Sequence, residues 1–463
     1  MMQKEARPWS CDSFAVAATH TLSGATLLGK NSDRPARESQ PLHRYGARSG
    51  AGRLRLAYVE IDDVSETVPH VGSSPYWCWG HEMGVNAHGV AIGNEALFTR
   101  DWARAVQAEQ DGHPQSVGIL GMELLRLALE RSDSARSAVQ IITNLVEQYG
   151  QWGAGVVGTG RAEGAYDNSY LIADATEIWV VETTGKHWVT RRADGPSCSI
   201  SNEPTIRTDW EGNSEGLRDH LVDRGWWTAG EPIDFASAVA DPGTPLQVSH
   251  LRLQRSRQML HHATTSGRVG FTEARSVLAD HYEDTFLNGP TFNPIRPDFL
   301  TLCMHEHPSG FTWGNTAASM VATLPVDGRP FLWWDATTPC TSLYIPVAVT
   351  GSQLPLSLST AGTANGAGPN PEKASADTGK TGSYWWIFQS LLETVAGDDQ
   401  GNSYSQRQPI VRAAFDELQG DWHNAVDGLI SGNAPDDEWD ALTVRCVDQA
   451  TDTAQSLLSQ FSG

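Results

Sequence analysis

Positively charged residues are scarce in this sequence. It has 33 Lys and Arg against 55 Asp and Glu, a formal net charge of −22, and only five of the cations are lysines. Proteins that bind nucleic acid present clustered Lys and Arg to the phosphates, and no dense basic run occurs here. The composition therefore excludes a nucleic-acid-binding protein and argues against a polybasic contact with a membrane surface.

Long apolar runs are also missing. No stretch approaches the roughly 20 apolar residues of a transmembrane helix. The first ten residues, MMQKEARPWS, carry charges and a proline where a secretory signal would have its apolar segment. We therefore predict a soluble, cytoplasmic protein without a membrane partner.

The cysteines are not arranged in pairs. The six cysteines, at positions 11, 78, 198, 303, 340 and 446, form no C-x-x-C motif, which predicts free thiols in a reducing compartment and excludes a zinc ribbon. His305 and His307 would share one face of a strand, but the spacing places no third ligand beside them. We therefore predict neither a metal site nor a metal cofactor.

Two glycine-rich motifs lack the context that their function needs. GAGVVG at 153–158 follows a predicted helix instead of a strand, so a dinucleotide-binding loop is not predicted. GNSEG at 212–216 follows a polar segment instead of a buried strand, so a serine nucleophile elbow is not predicted either.

Apolar periodicity predicts strands, then helices, then strands, then helices. This order favours a layered α+β fold over a doubly wound α/β fold, in which strands and helices would alternate. We predict two hairpins (13–30 and 76–98), two helices (Ile119–Arg131 and Ser134–Tyr149) and a meander (169–192) continued by SCSISNEP. Further along we predict helices near 250–262 and 272–281, strands in FLTLCMH, AASMVATL, FLWW and SLYIPVAV, and C-terminal helices.

Cys11 is the candidate nucleophile. It begins the first predicted strand, and GKNSDRP (29–35) ends the second strand of the same hairpin, which brings Lys30, Asp33 and Arg34 towards it. If the Ser10–Cys11 bond were cleaved, the α-amine of Cys11 would serve as its base, because the ordinary pKa values of ~7.7–8.0 for an α-amine and ~8.5 for a thiol are nearly matched. The alternative, a buried structural cysteine, stays open.

Several long motifs resemble a known family. They are GKNSDRP, YVEIDDV, PYWCWGHEMGVNAHGVAIGNEA, LLRLALERSDSARSAVQIITNLVEQYG, NSYLIADATEIWVVETTGKHW, RGWWT and SMVATLP. They resemble the secernins, which belong to the dipeptidase group of cysteine N-terminal nucleophile (Ntn) hydrolases called peptidase family C69. The resemblance extends from Cys11 to at least Val349.

The resemblance implies a fold and a domain organisation. It implies the αββα four-layer sandwich of Ntn hydrolases with additional C-terminal helices. We accordingly expect a propeptide at 1–10, a catalytic domain at 11–350, a flexible loop at 351–382 and a helical segment at 383–463 packed on the same domain. No cofactor is implied, and a homo-oligomer remains an open alternative.

The resemblance also implies catalytic roles. Cys11 matches the nucleophile, and Asp33 matches the carboxylate that holds the α-amine. Asn94 and Asn202 resemble the asparagines that stabilise the oxyanion. The alternatives are a turn or strand-end hydrogen bond for each Asn, and a capping or Arg34 contact for Asp33.

Three cations are candidates for contacting a substrate carboxylate. They are Lys30, which stands where many relatives carry Arg, together with Arg34 and Arg252, and Arg255 is the alternative to Arg252 in HLRLQRSRQ. We expect hydrolysis of small, dipeptide-like amides after autoprocessing. Hydrolysis of non-peptide N-acyl amides and a non-catalytic, secernin-like binding role are the alternatives.

Overall fold

The computed structural model describes residues 10–50, 52–113, 116–244, 247–288, 292–297, 299–307, 312–352, 354–362, 371–398 and 401–462. Of the predicted propeptide, only Ser10 is described, and residues 1–9 lie outside the described residues. Residues 353 and 363–370 of the predicted loop also lie outside them.

Strands dominate the first 200 described residues and return after residue 313. They are β1 (Cys11–Val16), β2 (Thr26–Pro35), β3 (Leu42–Tyr45), β4 (Arg53–Arg55), β5 (Glu60–Asp62), β6 (His70–Ser73), β7 (Met83–Asn86), β8 (Ala91–Leu97), β9 (Asp167–Ala173), β10 (Ile178–Thr184), β11 (His187–Arg192), β12 (Ser197–Ile200), β13 (Gly212–Asn213), β14 (Gly314–Leu324), β15 (Phe331–Ala336) and β16 (Ile345–Ala348).

Helices occupy the middle of the chain and its C-terminal part. They are α1 (Arg100–Gln110), α2 (Gly121–Arg131), α3 (Ala135–Tyr149), α4 (Leu217–Asp223), α5 (Phe235–Val239), α6 (Gln247–Ser266), α7 (Phe271–Leu278), α8 (Leu356–Ser359), α9 (Tyr384–Ala396), α10 (Tyr404–Ser431) and α11 (Asp436–Ser462). No helix in the described ranges has the length and apolar character needed to cross a membrane.

Turn and capping residues explain where the first hairpin turns and where helix α3 begins and ends. β1 and β2 form the predicted antiparallel hairpin, with Gly24 in the left-handed region between them (φ 70°). α3 begins after Ser134, whose hydroxyl accepts a hydrogen bond from the Ser137 N–H, and it ends at Gly150 (φ 72°). The hairpin and helix predictions are confirmed here.

Two large sheets face each other. One has the order β12-β1-β2-β14-β15-β16 and the other has the order β13-β11-β10-β9-β8-β7-β6-β3, while β4 and β5 form a separate pair. The sheets approach closely at β8, where a Cβ on Gly93 would lie 2.8 Å from the Ser13 hydroxyl. In the six-stranded sheet, Cys11 is the first residue of β1, which lies between β12 and β2.

Helices cover both outer faces. α2 and α3 pack on the eight-stranded sheet, where Leu125 and Ile142 join Ile92 and Tyr170 in one apolar cluster. On the six-stranded sheet, α6 contacts β12, α7 contacts β2 and β14, α9 contacts β15, and α11 contacts β16. The predicted α+β class and four-layer order are therefore present, with the C-terminal helices in the layer over the six-stranded sheet.

Two strand predictions are wrong. SCSI does not continue the meander, because β12 crosses to the other sheet and pairs with β1, with Ser13 opposite Ile200. FLTLCMH does not form a strand, since the described residues 301–307 have irregular backbone.

Within 351–382 the described residues include α8, and Asp377 accepts a hydrogen bond from the Ser39 N–H at 2.9 Å.

Candidate active site

Cys11 is the first residue of β1 and points into the space between the sheets. It is 7% exposed, and its Sγ accepts a hydrogen bond from the Asp33 N–H at 3.3 Å. Burial raises the pKa of the thiol well above its usual range, and the charge of Lys30 acts in the opposite direction. With Ser10 still attached, the thiol is therefore protonated at neutral pH.

Side chains hold the main-chain atoms of Cys11. Its N–H donates to Oδ1 of Asn202 at 2.9 Å, and its carbonyl oxygen accepts from the Arg252 guanidinium at 3.0 Å. Arg252 also donates to Asn202 Oδ1 at 2.8 Å and pairs with Asp12. The polar groups thus fix the backbone of residue 11, which is the place where an α-amine would form.

The two candidate arginines on α6 lie in different places. Arg252 is fully buried beside Cys11, whereas Arg255 pairs with Asp280 at 2.6 Å. The structure therefore brings Arg252 to Cys11 and directs Arg255 elsewhere. Because Arg252 is bound to Asp12 and to Cys11 itself, it fixes the backbone of Cys11 in this state.

Asp33 contacts Ser10, the residue that precedes Cys11. Its carboxylate accepts from the Ser10 hydroxyl at 2.9 Å and from the Thr316 hydroxyl at 2.7 Å. Burial raises the pKa of Asp33 to about 7, against the opposing charge of Arg252. Removal of Ser10 would free one carboxylate oxygen next to the new α-amine.

Lys30 lies between the two sheets and is not exposed to solvent. Its ammonium donates to the Asn94 carbonyl and lies 3.5 Å from Glu95, whose carboxylate also accepts from the Ser13 hydroxyl. Burial raises the pKa of Glu95 to about 8, and the Lys30 charge opposes that rise. The ammonium thus already has internal partners, and its contact with a substrate carboxylate stays a prediction.

Arg34 is likewise engaged in internal contacts. Its guanidinium donates to Glu38 at 2.7 Å, to Glu82 at 3.1 Å and to the Gly155 carbonyl at 2.8 Å. Two buried carboxylates already neutralise this one cation. Substrate binding by Arg34 would require exchange of one of these partners, and it also stays a prediction.

Asn94 is not brought to Cys11. Its neighbours Gly93 and Glu95 point towards β1 and β2, so alternation along β8 turns the Asn94 side chain to the helix-covered face. There its amide contacts Asn168 at 3.2 Å and the main-chain oxygen of Glu82 at 3.1 Å. The oxyanion role predicted for Asn94 has no geometric support in this state.

Two residues of the site escaped the sequence analysis. Glu95 follows Asn94 directly, and period-two alternation predicts that it shares a face with Gly93, although the sequence does not say which face meets β1. Thr316 donates to Asp33 from β14, far along the chain, and no local pattern connects the two residues.

Comparisons with known proteins bear on this arrangement. Residues 10–216 match the model of peptidase family C69. This match confirms, for that part of the chain, the predicted resemblance to peptidase family C69, and it supports an amide-bond hydrolase.

Three solved structures also show a distant similarity to this chain. A mutant of the conjugated bile acid hydrolase from Clostridium perfringens is 11% identical, with a TM-score of 0.41, over 74% of this chain and 95% of that one. Penicillin V acylase from Agrobacterium tumefaciens is 14% identical, with a TM-score of 0.36, over 73% and 86%. A Caenorhabditis elegans ortholog of N-acylethanolamine-hydrolyzing acid amidase is 10% identical, with a TM-score of 0.33, over 67% and 92%.

Proposed function

We propose that this protein is a cysteine Ntn amidohydrolase that cleaves small peptides after the Ser10–Cys11 bond has been broken. The observation that carries the proposal is the set of contacts around the main chain of Cys11. Asn202 accepts from its N–H, Arg252 donates to its carbonyl, and Asp33 contacts Ser10 directly before it. Together these groups would hold and orient a free α-amine.

The surroundings of the thiol support the same chemistry. Among the described residues, the Cys11 sulfur has hydrogen-bond contacts only with the main chain of Asp33. No described imidazole or carboxylate is placed to take its proton. The α-amine of the same residue would therefore be the base, since the ordinary pKa of an α-amine, ~7.7–8.0, is close to that of a thiol.

The reaction then follows in two stages. The amine takes the thiol proton, and the thiolate attacks the substrate carbonyl carbon to form a tetrahedral oxyanion. The resulting ammonium gives its proton to the leaving amine as the C–N bond breaks, which leaves a thioester on Cys11. Water hydrolyses the thioester, releases the acid and regenerates the thiol.

Asn202 is the better placed of the two predicted oxyanion donors. Its Oδ1 faces the N–H of Cys11, and its amide nitrogen donates to the Ala96 carbonyl at 2.9 Å. Exchange of that carbonyl for the substrate oxyanion would supply the stabilising N–H.

The test starts with the full-length protein. Intact mass spectrometry should show loss of residues 1–10, and a panel of dipeptides should be hydrolysed by the processed form. Cys11→Ala should retain its leader and be inactive, while Cys446→Ala, which changes a free cysteine on α11, should be processed and active.

Three outcomes would overturn parts of this proposal. Full activity with Met1 or Met2 still attached would exclude the α-amine as the base. Cleavage of N-acyl amino acids but not of dipeptides would replace the peptide substrate by the alternative class. An intact Ser10–Cys11 bond without hydrolysis in every preparation would favour the binding role.

A further inference from the structure

Four buried metal-ligand side chains meet beside the nucleophile's sheet. They are His281, Cys303, His305 and Cys340, and their potential ligand atoms all lie within 4.8 Å of one another. His281 follows α7, Cys303 and His305 belong to the irregular segment 301–307, and Cys340 lies between β15 and β16. Three distant segments thus converge on one point.

Three of the separations between these ligand atoms are close to those of a tetrahedral zinc site. Bond lengths of about 2.3 Å to sulfur and about 2.0–2.1 Å to nitrogen give about 3.4 Å between two nitrogen ligands and about 3.6 Å between nitrogen and sulfur. Nε2 of His281 and Nε2 of His305 are 3.2 Å apart. The Sγ atoms of Cys303 and Cys340 lie 3.7 Å and 3.2 Å from Nε2 of His305.

Hydrogen bonding alone does not account for this cluster. Nε2 of His305 faces His281, Cys303 and Cys340 at once, yet one imidazole nitrogen offers either one proton or one lone pair. Its other ring nitrogen, Nδ1, is buried and has no hydrogen-bond partner among the described residues. The ring is therefore oriented from the Nε2 side, where the four groups converge.

A further contact orients the second imidazole. Nδ1 of His281 lies 2.8 Å from a carboxylate oxygen of Glu283. A proton on Nδ1 satisfies this hydrogen bond and leaves the Nε2 lone pair directed at the cluster. Metal-binding histidines commonly have such a carboxylate partner on the other ring nitrogen.

We propose that His281, Cys303, His305 and Cys340 bind one Zn²⁺ ion as a structural site. Two thiolates and two imidazoles in tetrahedral order are the ligand set that zinc prefers. Four protein ligands leave no open position for water or substrate, so the ion would stabilise the fold without taking part in hydrolysis.

The proposed site would also support the proposed active centre. Met304 lies between the two ligands of the segment 301–307, and its N–H donates to the Thr316 hydroxyl at 2.9 Å. That hydroxyl donates in turn to Asp33, while the Met304 sulfur lies 2.9 Å from the Ser10 hydroxyl oxygen. Zinc would thus hold the segment that contacts Ser10 directly and Asp33 through Thr316.

The first experiment measures metal in the full-length protein. After expression with added zinc and removal of loosely bound metal, elemental analysis should find about one zinc per chain. Cobalt exchanged into the wild-type protein should give a thiolate-to-metal charge-transfer band and the strong visible bands of tetrahedral coordination. These readouts do not depend on peptide hydrolysis, so the zinc proposal can fail while the proposed function stands.

Two cysteine variants test whether the zinc binds at this cluster. Cys340→Ser should lose most of the bound zinc, whereas Cys446→Ser should keep it, because that buried cysteine on α11 lies outside the cluster. If Cys340→Ser does not fold, the cobalt spectrum of the wild type decides. Any one of four results would overturn the proposal. Two concern the metal in the wild type: fewer than about one zinc in ten chains, or no tetrahedral cobalt bands. The other two are a Cys303–Cys340 disulfide in fresh protein and full retention of zinc by a folded Cys340→Ser.

Discussion

Asp33 is a buried carboxyl whose ionisation depends on what precedes Cys11. With Ser10 attached, burial raises the pKa of Asp33 to about 7 from an ordinary value of 3.8. A carboxyl with a higher pKa in the folded chain binds its proton more tightly there. Its contribution to stability is therefore full below about pH 4 and is lost as the pH rises towards about 7.

This residue gives a pH-dependent prediction for the unprocessed chain. As the pH rises from 4 to 7, the free energy of unfolding of Cys11→Ala should fall by up to about 4 kcal/mol more than that of Cys11→Ala/Asp33→Asn. The double variant lacks this loss because Asn does not ionise. Urea unfolding measures both variants. Mass spectrometry should verify that both variants retain Ser10. Parallel stability curves over this pH range would contradict the expected ionisation.

The two asparagines should differ in their effect on turnover. Asn202→Ala is expected to lower kcat by ~10²–10³, the cost of losing one oxyanion donor, whereas Asn94→Ala should lower it less, because its amide faces Asn168. Rates should be normalised to the processed fraction, since Asn202 also holds the N–H of Cys11. An equal or larger loss in Asn94→Ala would contradict this order.

The sequence predicted the position of some site residues and not of others. It directed attention to Asp33, Asn202 and Arg252, and the structure brings all three to Cys11 or to Ser10. It did not find the arrangement of His281 and Cys340 around His305, because spacing reveals a metal site only when the ligands are close in the sequence. Contacts between distant segments carry no local pattern.

At the scale of elements, hairpins and amphipathic helices were predictable and strand partners were not. Ser134 and Gly150 mark the ends of α3 through capping. By contrast, nothing in SCSI distinguishes pairing with β11 from pairing with β1, because either sheet buries the same apolar side chains. FLTLCMH has strand-like composition, but its side chains serve the histidine–cysteine cluster instead of a sheet.

Close packing between β2 and β14 gives a prediction at this scale. A Cβ on Gly314 would lie 1.9 Å from the Arg34 carbonyl oxygen, whereas a Cβ on Gly420 within α10 meets nothing within 4 Å. Gly314→Ala should therefore destabilise the protein by about 1–3 kcal/mol, and Gly420→Ala should stabilise it by about 0.5–1 kcal/mol. Urea unfolding of both variants checks the opposite signs, and equal shifts would contradict the packing.

For the whole molecule, the C-terminal helices belong to the same apolar core as the six-stranded sheet. Trp385 of α9 donates to the Ala317 carbonyl at 2.7 Å, and Thr443 of α11 donates to the Pro346 carbonyl at 2.8 Å. Trp439 and Leu442 of α11 are buried in the cluster that contains β15 and β16. The six-stranded sheet therefore depends on residues more than 400 positions from Cys11.

Removal of α11 tests this dependence. A chain ending at Pro435 should fail to give a soluble, cooperatively unfolding protein, because the apolar surface of β16 and α9 would be exposed. A chain that lacks only Ser462 and Gly463 should behave like the full-length protein. Solubility and thermal unfolding distinguish the two chains, and an unchanged Tm in the chain ending at Pro435 would show that the fold does not depend on α11.

The close approach of the sheets at Gly93 also constrains natural variation. A Cβ at this position would lie 2.7 Å from Cδ of Lys30, and the Lys30 ammonium lies 3.5 Å from Glu95. Positions 30, 93 and 95 should therefore evolve together. A lineage that lost the glycine would need a shorter side chain at position 30, and a lineage that lost the lysine would leave the buried carboxyl at position 95 without its cationic neighbour.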